Sequence, residues 1–480
     1  MITDTKGITA KKESDFSEWY TQILQKGEVI EYSDVSGCYI LRPRGYAIWE
    51  KIQEFLNAKI KSSGVKNSYF PLFIPESLLK KEADHFAGFT PEVAWVTKAG
   101  DTKLAEPLAV RPTSETIMYT AFSKWIRSYK DLPLKINQWC SVVRWEFKHP
   151  VPFLRSREFL WQEGHCAFSN NKECEEDTLK MLDFYAEVFE NILAVPVIKG
   201  KKSEKEKFAG AYYTLTLETL LPNGKAIQAA TSHNLGQNFA RVFDIKFLDN
   251  NEKSEFVYQN SWGLSTRSIG IAIIIHSDDK GLIIPPNAAE NKVVIVPIFK
   301  EQNKLEIIKI AKNIFSELED FNPIFDDRGD YTPGWKFNEW ELKGVPLRIE
   351  IGSKDVENKQ VTFVTRHDSK KTPVKNNDLK LKVHEFLNKM QSELFSKAKE
   401  NLLMHIKEAK DFREFNEFIN NGNIVKIKWC NKTFCEEKIK TKFDGVKSLA
   451  IDFKEKPLDG EKCVYCSEKA EAVCYFGKSY

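Results

Sequence analysis

The chain has 480 residues, 42% of them hydrophobic, and 71 lysines and arginines nearly cancel 68 aspartates and glutamates to leave a charge of +3. That is enough chain for two or three domains with separate cores, and the balance neither demands nor excludes a nucleic-acid partner, which needs only a local basic face. No run of about eighteen apolar residues exists for a membrane span, residues 1–13 lack the apolar centre of a signal peptide, and nine unevenly placed cysteines make no disulfide framework. These exclusions lead to the expectation of a cytoplasmic protein with reduced thiols and no membrane partner.

In chain order, residues 15 to about 62 read as largely helical, with Ile48, Ile52, Phe55, Leu56 and Ile60 at helical spacing. Residues 69–75 read as an apolar strand interrupted by Pro71; proline removes a ladder donor and so suits an edge or an interface. Strands are predicted at 136–147, 158–167, 212–220 and 226–230, and helices at 114–128 and 171–192. The apolar run 269–276 fits a strand or a buried helix equally. Strands and long helices without regular βαβ alternation predict an α+β domain on an antiparallel sheet over residues 1–285, with 281–287 as a linker.

From Lys292 the pattern alternates: strand 293–298, helix 304–318, strand 323–326, short helix 334–342, strands 346–351 and 360–365, and a closing helix from about Asn377. It predicts an α/β module with a mostly parallel sheet, residues 286–395. The remaining region, 396–480, carries Cys430 and Cys435 separated by four residues, and Cys463 and Cys466 separated by two. Two close pairs match a tetrahedral four-thiolate Zn2+ site, closed and therefore structural. Cys474 fits no pair and reads as a packed thiol.

One stretch concentrates fixed charge among apolar residues: Arg144-Trp-Glu-Phe-Lys-His-Pro-Val-Pro-Phe-Leu-Arg-Ser-Arg-Glu-Phe159. Arginine forks match phosphate and carboxylate geometry and stay charged in any environment. The order Arg-x-Glu, loop, Arg-x-Arg-Glu-Phe resembles the second signature motif of the class II aminoacyl-tRNA synthetases. Around it stand Leu108-Ala-Val-Arg-Pro-Thr-Ser-Glu115, Leu160-Trp-Gln-Glu-Gly-His165, Gln228-Ala-Ala-Thr-Ser-His-Asn-Leu-Gly-Gln-Asn-Phe239 and Trp262-Gly-Leu-Ser-Thr-Arg267. Together, from about residue 15 to Tyr480, they resemble the prolyl-tRNA synthetases of the archaeal and eukaryotic type. The helix and proline-bearing strand near Pro71 resemble the first class II motif, found at the dimer interface. The segment Gly263-Leu-Ser-Thr-Arg267 departs from the general third motif, which is richer in glycine, and resembles the form in prolyl and related enzymes.

The resemblance implies a homodimer that joins L-proline to ATP, releasing pyrophosphate, and moves the prolyl group to the 3′ end of tRNA(Pro). Arg144 and Arg267 are then the catalytic cations, with Arg144 at the α-phosphate and substrate carboxylate, and Arg155 and Arg267 at the β- and γ-phosphates. Phe159 offers a face to adenine and Glu146 holds its edge; Ser156, Gln228, Thr231 and Ser265 complete the ATP set, with Mg2+ bridging phosphate oxygens.

Proline is a secondary ammonium on a small apolar ring. Thr113 and Glu115 can accept its two N–H bonds, although Thr-Ser-Glu also fits a helix cap. Trp161, Glu163 and His165 alternate along a strand and share one face, so the two rings can close round the substrate while Glu163 fixes polar partners. His233 is assigned to the same pocket. In the second module Glu341, Lys336 and Arg348 are assigned to anticodon guanines, and Trp335 and Trp340 to the core. Relatives of this type also end in a tyrosine that packs its carboxylate towards the active site, as Tyr480 would.

Between His165 and Trp262 there is no room for the inserted editing domain of bacterial-type relatives, which would need about 100–200 residues. A non-enzymatic paralogue would be expected to lose Arg144, Glu115, Arg155 or Arg267. A threonyl or seryl enzyme would need polar or metal recognition where this chain has Trp161 and His165.

Overall fold

A computed structural model describes residues 7–83 and 92–480, with the backbone alone at 81–83; residues 1–6 of the N-terminal segment read above lie outside the described residues. The functional face rests on an antiparallel sheet. Its middle strands run in the spatial order Ile198–Lys201, Tyr213–Leu220, Ala226–Gly236, Tyr258–Ser265, Glu158–Phe168 and Leu134–Val143, each antiparallel to the next. The strand predicted at 226–230 continues to Gly236 and is buried on both faces along most of its length, which hides the period of two that marks a half-exposed strand. The strand predicted at 136–147 stops at Val143, because the chain then enters the arginine-rich connection with Pro150 and Pro152, which lack ladder donors.

Behind the sheet lies helix Asn171–Glu187, started by Asn170 Oδ1 accepting from the Glu173 N–H at 2.9 Å. It buries Cys174, Thr178, Met181, Leu182 and Tyr185 as one stripe, and the predicted last turn is a π-turn, Val188–Ile192. The ambiguous apolar run is helix Arg267–His276, buried all round and hence without an amphipathic period. A side chain at Gly270 would meet Phe153 Cβ at 2.7 Å and the Tyr20 hydroxyl at 2.8 Å, so glycine permits this close packing.

Residues 15–62 are less helical than predicted. Helices Phe16–Lys26 and Pro43–Ser62 flank a hairpin of Ile30–Tyr32 with Tyr39–Leu41, strands too short to show a period. The strand predicted at 69–75 contracts to Phe73–Pro75, paired with Thr102–Val110.

In the second module the sheet order is Ile324–Phe325, Val293–Pro297, Leu347–Ile351, Gln360–Thr365, Lys371–Lys375. The first two pairings are parallel and the last two antiparallel, so the sheet is mixed rather than mostly parallel. The edge strand Lys371–Lys375 escaped prediction because Pro373 and its flanking lysines read as a loop, although an edge tolerates both. The closing helix is Leu379–Met404, 26 residues long.

The final region is not a separate layer. Strand Val446–Asp452 pairs with Ile198–Lys201 through Ile451 with Lys201 and Asp452 with Gly200, so the catalytic sheet continues into the C-terminal module and reaches eleven strands among the described residues. Gly200 makes the join possible, since an added Cβ would lie 2.6 Å from Ala450 Cβ and from the Ile451 carbonyl oxygen. Among the described residues no helix is long and apolar enough to cross a membrane.

Candidate active site

A cavity of about 320 Å³ opens on the sheet, and Thr113, Glu115, Arg144, Phe159, Trp161, Glu163, His165, Gln228, Thr231, His233, Ser265 and Arg267 all line it. Alternation on Glu158–Phe168 aims Trp161, Glu163 and His165 into this space. The residue between the last two, Gly164, has no Cβ because one would lie 2.1 Å from the Trp262 ring of the neighbouring strand.

The carboxylates are held by a dense buried network. Thr113 Oγ1 donates to Glu115 Oε2, and Ser114 Oγ donates to Glu163 Oε1. Gln138 Nε2 donates to the same Glu163 oxygen at 3.0 Å, and His165 Nε2 lies 3.2 Å from Glu163 Oε2. Tyr119 Oη lies 2.9 Å from His165 Nδ1. Burial opposes charge on both partners. Even so, hydrogen bonds to His165 and Ser114 and the His165 charge hold Glu163 below the usual carboxylate range. His165 is raised for the matching reason, its bond to Glu163 and the charges of Glu115 and Glu163 outweighing burial. His233 is pushed down to about 3 by burial and then by His165, and its ring bridges Thr214 Oγ1 at 2.9 Å and Thr231 Oγ1 at 3.1 Å. The pocket therefore presents three carboxylates, Glu115, Glu163 and Glu206, beside one imidazole shifted towards its charged form and one pushed towards its neutral form, a negative lining suited to an ammonium.

Arg144 and Arg267 line the same cavity. Arg144 Nε donates to the Pro112 carbonyl at 3.0 Å, and its guanidinium lies 5.2 Å from the Trp161 ring and 5.7 Å from Phe159. Arg267 is pulled down to about 10 by burial and by Arg144, with Glu218 opposing the shift, and its Nε is buried without a partner. Arg155 and Arg267, with Gln228, open onto an adjoining cavity of about 400 Å³ that also reaches Lys202, Lys447 and Tyr480. Arg155 lies 5.7 Å from the Tyr480 ring. None of Arg144, Arg155 and Arg267 has a carboxylate within ion-pair distance among the described residues, a costly arrangement unless an anion completes it.

Other predicted residues stand apart. Glu146 is exposed on the connection, and Ser156 is buried; neither lines either cavity. Ser114 begins helix Glu115–Trp125 but makes no side-chain cap, having turned its hydroxyl to Glu163, which corrects the capping reading. In the second module Lys336 is buried and donates to the Asp326 carbonyl at 3.1 Å; Arg348 is buried between Glu341 at 3.1 Å and Glu350 at 3.0 Å. Trp340 is half-buried and packs against the core of Val294, Val296 and Val345, whereas Trp335 is half-buried outside that core and stacks on Tyr331 with ring centroids 3.7 Å apart.

Sequence reasoning did not single out Arg111, Tyr119, Gln138 or Phe208. Arg111 is fully buried and donates to the carbonyls of Phe70 at 2.8 Å and Ser141 at 2.9 Å, tying the first-motif segment to the pocket strands. Its place in the quoted Arg-Pro-Thr-Ser-Glu run was the only available signal, since backbone partners leave no mark in a sequence.

The four predicted metal ligands converge. Cys430, Cys435, Cys463 and Cys466 bring their sulfurs within 4.8 Å of one another, with Cys435–Cys463 at 3.8 Å and Cys430–Cys466 at 3.6 Å. Zinc–sulfur bonds of about 2.3 Å place tetrahedral sulfurs roughly 3.8 Å apart, so the set fits zinc. Cys474 is buried in the same core, as predicted for a packed thiol.

Residues 95–276 match the family model described as the class II tRNA synthetase core domain (G, H, P, S and T), 292–393 the anticodon binding domain, and 412–480 the C-terminal domain of prolyl-tRNA synthetase. A proline–tRNA ligase of Encephalitozoon cuniculi is 47% identical over 99% of this chain and 99% of its own length. The cytoplasmic proline–tRNA ligase of Arabidopsis thaliana is 47% identical over 99% of this chain and 91% of its own. Proline–tRNA ligase 2 of Bacillus cereus is 48% identical over the whole of both chains. The chain belongs to the prolyl-tRNA synthetases, ATP-dependent ligases built on the class II synthetase core.

Proposed function

We propose that this chain activates L-proline with ATP to prolyl-adenylate and then transfers the prolyl group to the 3′ end of tRNA(Pro). The observation that carries the reading is the junction of a carboxylate-lined pocket with three arginines that lack ion-pair partners among the described residues. In the first step a proline carboxylate oxygen bonds to the α-phosphorus, the bond to the bridging oxygen breaks, and pyrophosphate leaves. Arg144, on the wall of the first cavity, neutralises charge gathering on the α-phosphoryl oxygens and orients the carboxylate. Arg155 and Arg267 take the β- and γ-phosphates, which would extend into the second cavity with the Mg2+ that accompanies ATP.

Phe159 and Trp161, already edge to face at 6.1 Å, wall the adenine and proline subsites. Gln228, Thr231 and Ser265 supply neutral hydrogen bonds. Glu146 and Ser156 reach the nucleotide only if the 144–157 connection moves. Thr113 and Glu115 accept from the prolyl ammonium, and Glu163, His165 and His233 shape the ring site. Glu115→Gln removes a charged acceptor at the ammonium and is expected to weaken proline binding about ten- to a hundredfold with ATP binding retained. Calorimetric titration of each substrate checks this, and unchanged proline affinity would defeat the assignment.

The domain division 1–285, 286–395 and 396–480 is retained as a division of labour, although the first and last parts share a sheet. Anticodon contacts are assigned to the cleft beside Glu341 and Arg348, with Lys336 available only if its bond to Asp326 opens. Structural Zn2+ is assigned to the four cysteines.

A homodimer is favoured by an exposed apolar face at the first-motif segment, where Tyr69 is 72% and Phe73 46% exposed. Phe73 and Trp95 flank the same strand, opposite Val110 and Ala109. Light scattering is expected to give the mass of two chains, and the double substitution Tyr69→Asp with Phe73→Asp to give one. A parent protein with the mass of a single chain contradicts the dimer.

A further inference from the structure

The connection 202–212, between strands Ile198–Lys201 and Tyr213–Leu220, forms one rim of the substrate cavity through Glu206 and Phe208. Phe208 packs on the His233 ring with centroids 4.8 Å apart, and its N–H donates to Thr214 Oγ1 at 2.9 Å, the hydroxyl that also meets His233. Lys202 pairs with Glu218 of the neighbouring strand at 2.7 Å, yet several of the connection's polar anchors come from the far end of the chain.

Ser203 Oγ donates to Glu436 Oε1 at 2.9 Å, Lys205 Nζ to Glu437 Oε1 at 2.7 Å, and Lys440 Nζ lies 3.5 Å from Glu206 Oε1. Lys447 Nζ lies 3.8 Å from the other Glu206 oxygen, and Lys202 Nζ donates to the Leu449 carbonyl at 2.9 Å. Glu436, Glu437 and Lys440 belong to helix Thr433–Lys442, where positions three and four apart share a face, so one helix side addresses the connection. Of these contacts the Ser203–Glu436 and Lys202–Leu449 bonds are buried, and the first joins two side chains. Glu436 is 3% exposed and also accepts from Ser448 Oγ, so it has no water to replace a lost partner. The exposed lysine–glutamate pairs contribute little beside it.

We propose that helix Thr433–Lys442 of the C-terminal module, through Glu436, positions the 202–212 connection over the amino-acid pocket, making Glu436 and Ser203 determinants of amino-acid affinity though neither lines the pocket. They are positioning residues, acting through Phe208, which lines the first cavity alone, whereas Glu206 lines both. The proposal rests on the assignment of the first cavity to proline.

Ser203→Ala, Glu436→Ala and Glu436→Gln in the full chain test it, by proline and ATP dependence of pyrophosphate exchange and by calorimetric proline binding. Ser203→Ala and Glu436→Ala are each expected to raise the proline KM and Kd about three- to tenfold, from the loss of one or two buried hydrogen bonds. The kcat and the KM for ATP stay near parent values. The double substitution is expected to be no worse than the stronger single one, because both remove the same bond. Glu436→Gln, which keeps an oxygen acceptor for both serines, restores the parent value. If Glu436→Ala does not fold, Ser203→Ala decides alone. Unchanged proline KM and Kd in Ser203→Ala overturns the proposal, as does an equal rise in the KM for ATP, the mark of general loosening. Glu115→Gln in the same assays separates the failures: if it weakens proline binding while Ser203→Ala does not, the positioning claim alone falls; if neither does, the pocket assignment falls with it.

Discussion

Replacing Arg144 by alanine is expected to lower proline-dependent pyrophosphate exchange by about 10²–10³-fold, on the order of 2–4 kcal/mol of transition-state stabilisation. The residue lines the first cavity together with Arg267, oriented by the Pro112 carbonyl and by two aromatic faces. On the proposed mechanism charge develops at the reacting phosphorus beside it, and a fixed guanidinium there needs no reorganisation during the step. Arg144 has no carboxylate partner among the described residues, so its loss strands no buried anion and is expected to leave the fold in place. Tryptic resistance and thermal midpoint should match the parent while exchange collapses; an Arg144→Ala protein within roughly threefold of parent activity would remove Arg144 from the mechanism.

If the four cysteines hold zinc as proposed, its loss should be felt well beyond them. Zinc-finger peptides draw about 10–16 kcal/mol from such sites, and here the ligands lie in one small core with Trp429, Phe443 and Phe476. Purified protein is expected to hold about one zinc per chain, and Cys463→Ser to lower that content and the thermal midpoint together. Because Val446–Asp452 pairs with Ile198–Lys201, the disturbance should pass into the catalytic sheet, and limited proteolysis should open residues near both strands. Protein never exposed to chelator that contains almost no zinc, or a Cys463→Ser variant as stable as the parent, would refute the assignment.

The site was more legible in the sequence than the fold that carries it. Trp161, Glu163 and His165 could be placed on one face because strand alternation is a local rule, and the structure brings that face onto Thr113, Glu115 and the arginines. The roles of Gln138 and Tyr119 could not be read, because each depends on a partner far away in sequence, Glu163 and His165 respectively. The same limit hid the union of the C-terminal strands with the catalytic sheet, which rests on the pairing of Ile451 and Asp452 with Lys201 and Gly200. In the second module charge and spacing suggested base-reading groups, but Arg348 is buried between Glu341 and Glu350, and no local pattern reveals that pairing. Helix Arg267–His276 stayed ambiguous because complete burial erases the amphipathic period.

Amino-acid-dependent exchange of pyrophosphate into ATP, measured across the common amino acids with the purified chain, tests the central claim most directly. Proline should support exchange strongly. Alanine should do so weakly, at least about tenfold lower in kcat/KM, because it lacks ring methylenes worth about 1–3 kcal/mol each. Threonine and serine should stay near background, since their hydroxyls would meet the Trp161 and His165 walls. Exchange driven by threonine or serine in preference to proline, or by no amino acid at all while ATP still binds, would contradict the account.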